Sequence, residues 1–439
     1  MKPVVLRADA DARLGAGHLM RCLAIAHALR GQAEPIIATT CREAALLEHV
    51  HSAGVPVHRL EAAYPDARDA AAVASLVRGA QALVVDGYHF DNEYLDAVGD
   101  SGVRTMMVDD AVRLRRYDAD MLLDVNLGAL RQPYTLRSGA LALLGARFTL
   151  LRPQFLEAAR SAAPVPPVAA RVLVTLGASD PPNATARVLT ALARDAASWD
   201  VTVVLGGANP HGESVGAAAS ALPRVRVCRN VAAPEVLMAD ADIAIGAVGG
   251  TMWELASMGV PTLLVSTSEL HDRVAAMAHA YGAHEWLGNV GDLDDRSIAD
   301  AAHTLARDQH RRARMTRLGQ ALIDGKGAAR VAAALCSPRG APWVRPAVPV
   351  DAEAIWEMSS AGGESQTPFA DFEGGFLARI NDPQSRPWVT DTFGSAVAFV
   401  DAGPGSTAGE RRQGVAAALK VHGMLEQLAA TVEQVYQRQ

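Results

Sequence analysis

Aromatic residues are scarce in this chain of 439 residues, at 5%, and cysteine is rarer still, with Cys22, Cys41, Cys228 and Cys336 scattered along it. No two of them form a C-x-x-C pair, so neither a disulfide scaffold nor a zinc site is expected, and reduced thiols are the plain reading. Basic charge is also short: 41 Lys and Arg against 48 Asp and Glu leave a formal net charge of -7. A surface of that sign does not suit nucleic acid or an anionic membrane, and neither is expected as a partner. Long hydrophobic runs are missing too. The most apolar stretch, 242–265, is interrupted by glycines, Glu254 and Pro261, and falls short of a membrane span. The chain opens on a strand pattern with acidic residues by position 9 and no signal peptide, so a soluble cytoplasmic protein is expected.

Alanine and glycine are plentiful, half the residues are hydrophobic and a fifth are charged, which is a globular composition. At ~150 residues per domain the length implies about three domains. In the first part, short Val/Ile-rich runs alternate with amphipathic patterns. "VVLRAD" precedes a helix at 18–30 and "PIIATT" one at 42–52. Then come "VPVHRL", a helix at 66–78, "ALVVDGY", a helix at 91–98, "RTMMVDD" and a late strand in "DMLLDVN". This rhythm predicts a parallel sheet built from βαβ units. The Pro/Ala-rich stretch 159–171 reads as a linker, after which the rhythm restarts with "RVLVTLGAS", a helix at 183–197, "VTVVLGGA", "RVRVCRN", "IAIGA", a helix at 250–258 and "PTLLVST". Two α/β lobes, 1–158 and 170–336, are expected to face each other across a cleft at the carboxyl ends of their strands. A punctuated join, "CSPRGAPW", leads into a third module at 343–439 with strands in "WVRPAV" and "SAVAFVDAG". Helices are expected there in "DAEAIWEMSS", "FEGGFLARIND" and "ERRQGVAAALKVHGMLEQLA".

Three turns carry chemistry. In the first, Gly15-Ala16-Gly17 brings His18 to the start of a long helix that also holds Arg21. Glycines allow close backbone approach, a helix N-terminus favours anionic ligands, and an imidazole is a natural general base near neutral pH. A packing or capping histidine is the plainer alternative. In the second, "LGASDPPNAT", Gly177, Ser179 and Asp180 follow an apolar strand and precede a helix. In the third, "GAVGGTMWE", Gly249, Gly250 and Thr251 open a helix with Glu254 one turn inside. A diphosphate suits those N–H groups, and a carboxylate one turn further suits the two ribose hydroxyls of a nucleotide; alternatively Glu254 caps its helix. No Lys follows the glycines, so neither turn is a Walker loop. Asp86 and Tyr88 end one strand, and Asp109 and Asp110 end the next, facing the same cleft; helix caps or turn formers are the alternative, and the stronger one for the aspartate pair. No metal site has supporting ligand spacing.

On these motifs the chain resembles the UDP-sugar hydrolases of pseudaminic acid biosynthesis, which are relatives of the spore-coat polysaccharide proteins. The matching segments are "RADADARLGAGHLMRCLAIAHAL", "VVDGYHFDNEYL", "VDD", "LLGARFTLLRPQF", "LGASDPPNAT" and "DADIAIGAVGGTMWELASMGVP", in order across roughly residues 1–330. The resemblance implies a GT-B fold, an α/β architecture of two Rossmann-like lobes. It also implies metal-independent hydrolysis of a UDP-activated diacetamido-trideoxy-altrose to UDP and free sugar, with no cofactor. His18 would activate the water, with inversion at the anomeric carbon. Gly249, Gly250 and Thr251 would hold the departing diphosphate and Glu254 the ribose, while Asp86 and Tyr88 would shape the sugar side. Two positions depart from the family: Ala178 replaces a second glycine, and His271 and Asp272 stand where an Asn-Gln pair contacts the sugar. A changed sugar preference stays open. So do a glycosyltransferase using a UDP-sugar and an inactive nucleotide-sugar-binding homologue.

The third module is similar to part of a GNAT-type N-acetyltransferase. "VRPAVPVDAEAIWEM" matches the first strand and helix, and "RRQGVAAAL" the turn that binds the acetyl-CoA pyrophosphate. Acetyl-CoA is implied as a ligand only if the module is active. The strand before that turn and the strand-helix-strand after it are missing, as in a truncated acetyltransferase; an unrelated helical tail is the alternative. The sequence leaves the oligomeric state unspecified.

Overall fold

Short, wholly apolar strands dominate the molecule, because a parallel strand covered by helices on both faces has no side exposed to water. The computed structural model describes residues 1–336 apart from 12, 13, 100, 101, 130, 131, 139, 160–163, 178 and 208. Beyond these it describes 343–346, 351–360, 372, 376, 388–392 and 395–400. The first part runs β1 (Pro3–Ala8), α1 (Gly17–Leu29), β2 (Glu34–Thr39), α2 (Ala44–Ser52), β3 (Val57–Arg59), α3 (Ala67–Leu76), β4 (Ala82–Asp86) and α4 (Asn92–Val98). It continues through β5 (Arg104–Val108), β6 (Met121–Asp124) and β7 (Leu141–Leu144). These strands form one parallel sheet in the order β3-β2-β1-β4-β5-β6-β7, and every residue of β4 and β6 is buried.

After α5 (Pro153–Ala159) the second part repeats the plan. It runs β8 (Arg171–Thr175), α6 (Ala184–Leu192), β9 (Asp200–Leu205), α7 (Gly212–Ala219), β10 (Val225–Arg229), α8 (Pro234–Ala239) and β11 (Ile243–Ala247). Then follow α9 (Gly250–Ser257), β12 (Thr262–Ser266), α10 (Glu269–Tyr281) and β13 (His284–Asn289). Its parallel sheet has the order β10-β9-β8-β11-β12-β13. Two Rossmann-like sheets are therefore present, as the strand-helix rhythm predicts, with β7 and β13 as additional edge strands. Among the described residues no helix is long and apolar enough to cross a membrane.

A buried charge interrupts the apolar run of β1. Arg7, next to the last residue of β1, is fully buried; its guanidinium donates to Asp9 at 2.6 and 2.7 Å and to Asp69 of α3, and lies 4.9 Å from the Phe90 ring centre. Tyr94 donates its hydroxyl to the same Asp69 at 2.7 Å. Burial opposes the Arg7 charge, but the two carboxylates outweigh it and hold the guanidinium protonated. Asp9 also accepts from the Thr40 amide and hydroxyl, at 2.8 and 2.7 Å, which ties together the carboxyl ends of β1 and β2.

After the second sheet the chain continues through α11 (Asp295–Arg307) and α12 (Gln309–Leu322) and returns to the first with α13 (Gly327–Cys336). Val331, Ala332 and Leu335 of α13 share a core with Leu19, Cys22 and Leu23 of α1. Gln81 and Arg104 donate to its last carbonyls. Further on, β14 (Trp343–Pro346), β15 (Trp388–Thr392) and β16 (Ser395–Val400) form a small antiparallel sheet, and α14 (Ala352–Ser360) docks on the main body. Ala352, Ile355 and Trp356 join a core with Leu127 and Leu151 of the first part and Met252, Trp253 and Tyr281 of the second. Glu353 accepts the Ala146 amide at 3.0 Å, and Asp351, fully buried, pairs with the buried Arg147 at 2.7 Å. The "RRQGVAAAL" turn, its helix and most of "FEGGFLARIND" lie outside the described residues.

Removing one member of a buried ion pair leaves the other charge without compensation, a loss of about 3–5 kcal/mol. Asp351→Ala is therefore expected to lower stability by about that amount in urea denaturation, and pairing it with Arg147→Met to recover most of the loss. Equal stability of Asp351→Ala and the native chain would show that the Asp351–Arg147 pair does not hold this segment to the main body.

Candidate functional site

Both sheets reverse their strand order once, between β1 and β4 in the first and between β8 and β11 in the second. Helices leaving the two central strands pass to opposite faces there, which opens a crevice at the carboxyl edge. All three turns marked in the sequence lie at these two crevices: the turn after β1, the turn after β8 and the turn after β11.

In the first crevice the Gly15 backbone is left-handed, at φ 73°, and its amide donates to the Asp11 carbonyl at 2.8 Å. The turn ends at Gly17, and α1 begins without a side-chain cap or an acidic residue in its first turn. His18 and Arg21 stand on one face of α1 and reach Asp86 at the end of β4. The His18 Nδ1 is 2.7 Å from Asp86 Oδ1, while Arg21 donates Nη2 to Oδ1 at 2.6 Å and Nε to Oδ2 at 2.9 Å. Arg21 Nη1 also donates to Asp110 at 3.0 Å, and the Tyr88 hydroxyl donates to the other Asp110 oxygen at 2.8 Å. The Tyr88 ring meets the His18 ring edge-on, with centres 5.0 Å apart.

These contacts select a tautomer. Arg21 Nη2 lies 2.8 Å from His18 Nδ1, but an acceptor lone pair at Nδ1 would face Asp86 at 2.7 Å, carboxylate against lone pair. Placing the proton on Nδ1 makes it a donor to Asp86 and leaves Nε2 as the basic nitrogen. Among the described residues Nε2 has no hydrogen-bond partner. Burial alone would raise the Asp86 carboxyl, but Arg21 and then His18 outweigh it and hold Asp86 below the ordinary carboxylate range. The sequence reading put Asp86 against the sugar. The structure corrects that: Asp86 is fully buried with both oxygens engaged, so it orients His18 and Arg21 rather than touching a ligand. Tyr88 is exposed and remains available to the cleft.

In the second crevice the two glycine turns differ. Asp180, buried and itself at φ 41°, accepts from the Ala184 and Thr185 amides at 2.9 Å each and from the Thr185 hydroxyl at 2.6 Å. Its carboxylate therefore closes the start of α6, a capping role where the sequence reading expected a ligand contact. Gly177 and Ser179 stay at the rim of this turn, and Ala178 lies outside the described residues. At α9, by contrast, Gly249 is the N-cap at φ 148°, with no side-chain cap and no acidic residue in the first turn. A Cβ on Gly249 or Gly250 would meet nothing within 4 Å, so space is open above these amides. Glu254 stands on the second turn with its side chain 20% exposed and Arg152 3.6 Å away. His271, in the first turn of α10, contacts the Thr267 hydroxyl through Nδ1 at 3.0 Å. Burial lowers its basicity, against the opposing charges of Asp272 and of Asp110 of the first part.

The sequence reading passed over one further acid beside the first crevice. Asp124, at the end of β6, is buried and accepts from the Asn126 amide and the Tyr134 hydroxyl at 2.9 Å each. Its carboxyl is pushed up to about 7, first by burial, against these hydrogen bonds, with Asp110 and Asp109 adding to the rise. Nothing in "LLDVN" marks this, because the burial comes from Tyr134 and the neighbouring strand. Among the described residues no group of three or more His, Cys, Asp or Glu is placed to hold a metal ion.

No family model matches the chain. It is 29% identical over 220 residues to the spore coat polysaccharide biosynthesis protein SpsG of Bacillus subtilis, covering 49% of this chain and 64% of SpsG. It is 20% identical over 276 residues to the uncharacterized protein MJ1062 of Methanocaldococcus jannaschii, covering 61% and 56%. The chain thus spans less than two thirds of the length of either relative. Among solved structures, MurG of Acinetobacter baumannii matches with a TM-score of 0.52 at 12% identity over 76% of this chain and 99% of MurG. HepE of Anabaena, solved in complex with UDP and glucose, matches with a TM-score of 0.51 at 11% identity over 77% and 100%. The MnaA–UDP structure from S. aureus gives 0.51 at 13% over 75% and 95%. The fold is therefore the α/β GT-B type of glycosyltransferases.

Asp124 generates a prediction with a definite sign. Its folded carboxyl titrates near 7 against about 3.9 when unfolded, so ionisation favours the unfolded chain as pH rises between those values. Asp124→Asn mimics the protonated form. Its stability advantage over the native chain should grow from about pH 4 to about pH 7, reach a few kcal/mol and level off above that. Denaturation at four pH values checks this, and a pH-independent difference would mean that Asp124 is ionised in the folded protein.

Proposed function

We propose that the chain hydrolyses a UDP-activated diacetamido-trideoxy sugar, UDP-2,4-diacetamido-2,4,6-trideoxy-β-L-altropyranose, to UDP and the free sugar. The observation that carries this reading is the His18–Asp86 pair at the first crevice, with the basic Nε2 left without a partner among the described residues. The likeness to a polysaccharide biosynthesis protein and the fold shared with structures solved with UDP support it. On this reading Nε2 takes a proton from water, and the water oxygen bonds to the anomeric carbon as its bond to the diphosphate breaks. The sugar inverts, the proton rests on His18 as an imidazolium beside Asp86, and UDP leaves with the bonding electrons. The open amides of Gly250 and Thr251 stabilise the charge developing on the diphosphate, and Glu254 accepts from the ribose hydroxyls.

Transfer of the sugar to an acceptor hydroxyl is the second reading, supported by the fold shared with glycosyltransferases. The two separate on one measurement: UDP release from the purified protein with water alone supports hydrolysis, and release only on adding an acceptor supports transfer. Binding of UDP with no turnover under either condition would leave a nucleotide-sugar-binding protein.

Losing a general base costs about 10²–10⁴-fold in rate. His18→Gln should reduce UDP release by that factor while leaving UDP affinity by calorimetry unchanged, and near-native turnover would remove His18 from the mechanism. Glu254→Ala should weaken UDP binding about tenfold or more, the loss of hydrogen bonds to a charged group. Unchanged affinity would rule out the ribose contact.

A further inference from the structure

Glu254 is approached by three groups, with a fourth behind one of them. Arg152, in the segment just before α5, lies 3.6 Å from Oε1; Glu235 faces it from α8; Thr251 bonds to it from its own helix; and His49, at the end of α2, stands behind Arg152. Burial pushes the Glu254 carboxyl up and Glu235 adds to the rise; Arg152 and Thr251 pull it down without cancelling it, so it stays above the ordinary carboxylate value. Arg152 is therefore the cation set against both the burial and the neighbouring acid.

The guanidinium is itself held in place. It lies 5.0 Å from the centre of the Phe155 ring, its Nη1 is 3.4 Å from His49 Nε2, and its side chain is 12% exposed. Burial and then Arg152 lower the basicity of His49, which keeps that imidazole neutral, with Nε2 accepting from Arg152. Phe155 packs in turn against Leu255 and Met258 of α9. The cation thus has one contact on the first sheet's helix, one on the crossover and one on the carboxylate of the second sheet. A carboxylate that accepts from two neighbouring hydroxyls must be ionised and fixed in rotation; a guanidinium at one oxygen favours the first and supplies the second.

Resting on the reading of Glu254 as the ribose ligand, we propose that Arg152 is a positioning residue. It orients Glu254 for the two ribose hydroxyls, and so sets the preference for ribonucleotides over 2′-deoxyribonucleotides.

The test is the ratio of affinities for UDP and 2′-deoxy-UDP, measured by calorimetry on the full chain between pH 5.5 and 8.5. Taking the ratio cancels the titration of the diphosphate, which both probes share. The native ratio should favour UDP about tenfold or more at neutral pH and above. In Arg152→Met the carboxyl loses its cation and stays protonated to higher pH, so the ratio should approach one at pH 6 and recover partly by pH 8.5. Arg152→Lys, which keeps the charge, should keep most of the ratio, and it serves as the decisive variant if the methionine form does not fold. A native ratio in Arg152→Met at every pH overturns the proposal. So does an equal loss for both nucleotides, the mark of a purely structural role, or a ratio near one in a folded Arg152→Lys that does not recover with pH. Glu254→Gln separates the two levels: if it keeps the native ratio, the ribose reading falls with the proposal. If it loses the ratio while Arg152→Met keeps it, the proposal alone falls.

Discussion

A parallel sheet wound in both directions from its middle must reverse its strand order once, and that reversal is the constraint on which the site depends. Here it occurs between β1 and β4 and again between β8 and β11. In the first sheet, β4 ends on Asp86 beside the end of β1, which puts a carboxylate at the floor of the crevice with no water to solvate it. An uncompensated charge there would be too unfavourable to keep. Compensation comes from α1, which starts after the glycine turn and carries His18 and Arg21 one turn apart, so both side chains descend on the same carboxylate. The turn, the helix start and the imidazole's tautomer thus follow from one buried acid.

The carboxyl edge of the first sheet is crowded with acids: Asp9, Asp86, Asp109, Asp110 and Asp124 all lie at or just past strand ends. Arg7, Arg21 and Arg113 pair with the first four. Asp124 is bonded to an amide and a phenol instead, and keeps its proton to about pH 7. The three arginines at this edge are already engaged by carboxylates, which makes it a poor host for a diphosphate. The open amides at α9 in the second sheet are a good one, since a helix start carries partial positive charge and its glycines leave the approach clear. The two lobes are electrostatically unlike although their topology is the same.

Much of this was legible in the sequence, and the rest was not, for physical reasons. The central strands could be read because burial on both faces makes them continuous apolar runs, as in "ALVVD" and "IAIGA". The helix α8, six residues long and opened by Pro234, leaves too short a pattern to show a period, and the edge strand β7 is four residues. The turn at Gly249–Gly250 could be recognised because glycine has a local meaning. Asp86 and Asp180 were recognised as polar residues at strand ends, but their use could not be read. Whether such a residue faces a ligand or a partner is decided by α1, 65 residues away along the chain from Asp86, or by a backbone twist at Asp180 itself. Arg152 lies in the matching segment "LLGARFTLLRPQF", but nothing there gives its role: that comes from α2 and α9.

The separation of roles between the lobes has a consequence for the proposed chemistry. Inversion at an anomeric carbon requires the nucleophile and the leaving group on opposite faces of the sugar, roughly in line. A single crevice would have to hold both on one wall. Two crevices that face each other, one with a base and one with an anion site, place the sugar between them without further machinery. The alignment then depends on how the lobes are fixed relative to each other. Here α13 returns to the first core, 351–356 fill the seam, and Arg152 bridges α2 and α9. A change in α13 or at 351–356, which touch neither Glu254 nor the glycine turn of α9, should therefore act on the in-line geometry, and on rate, before it acts on nucleotide binding.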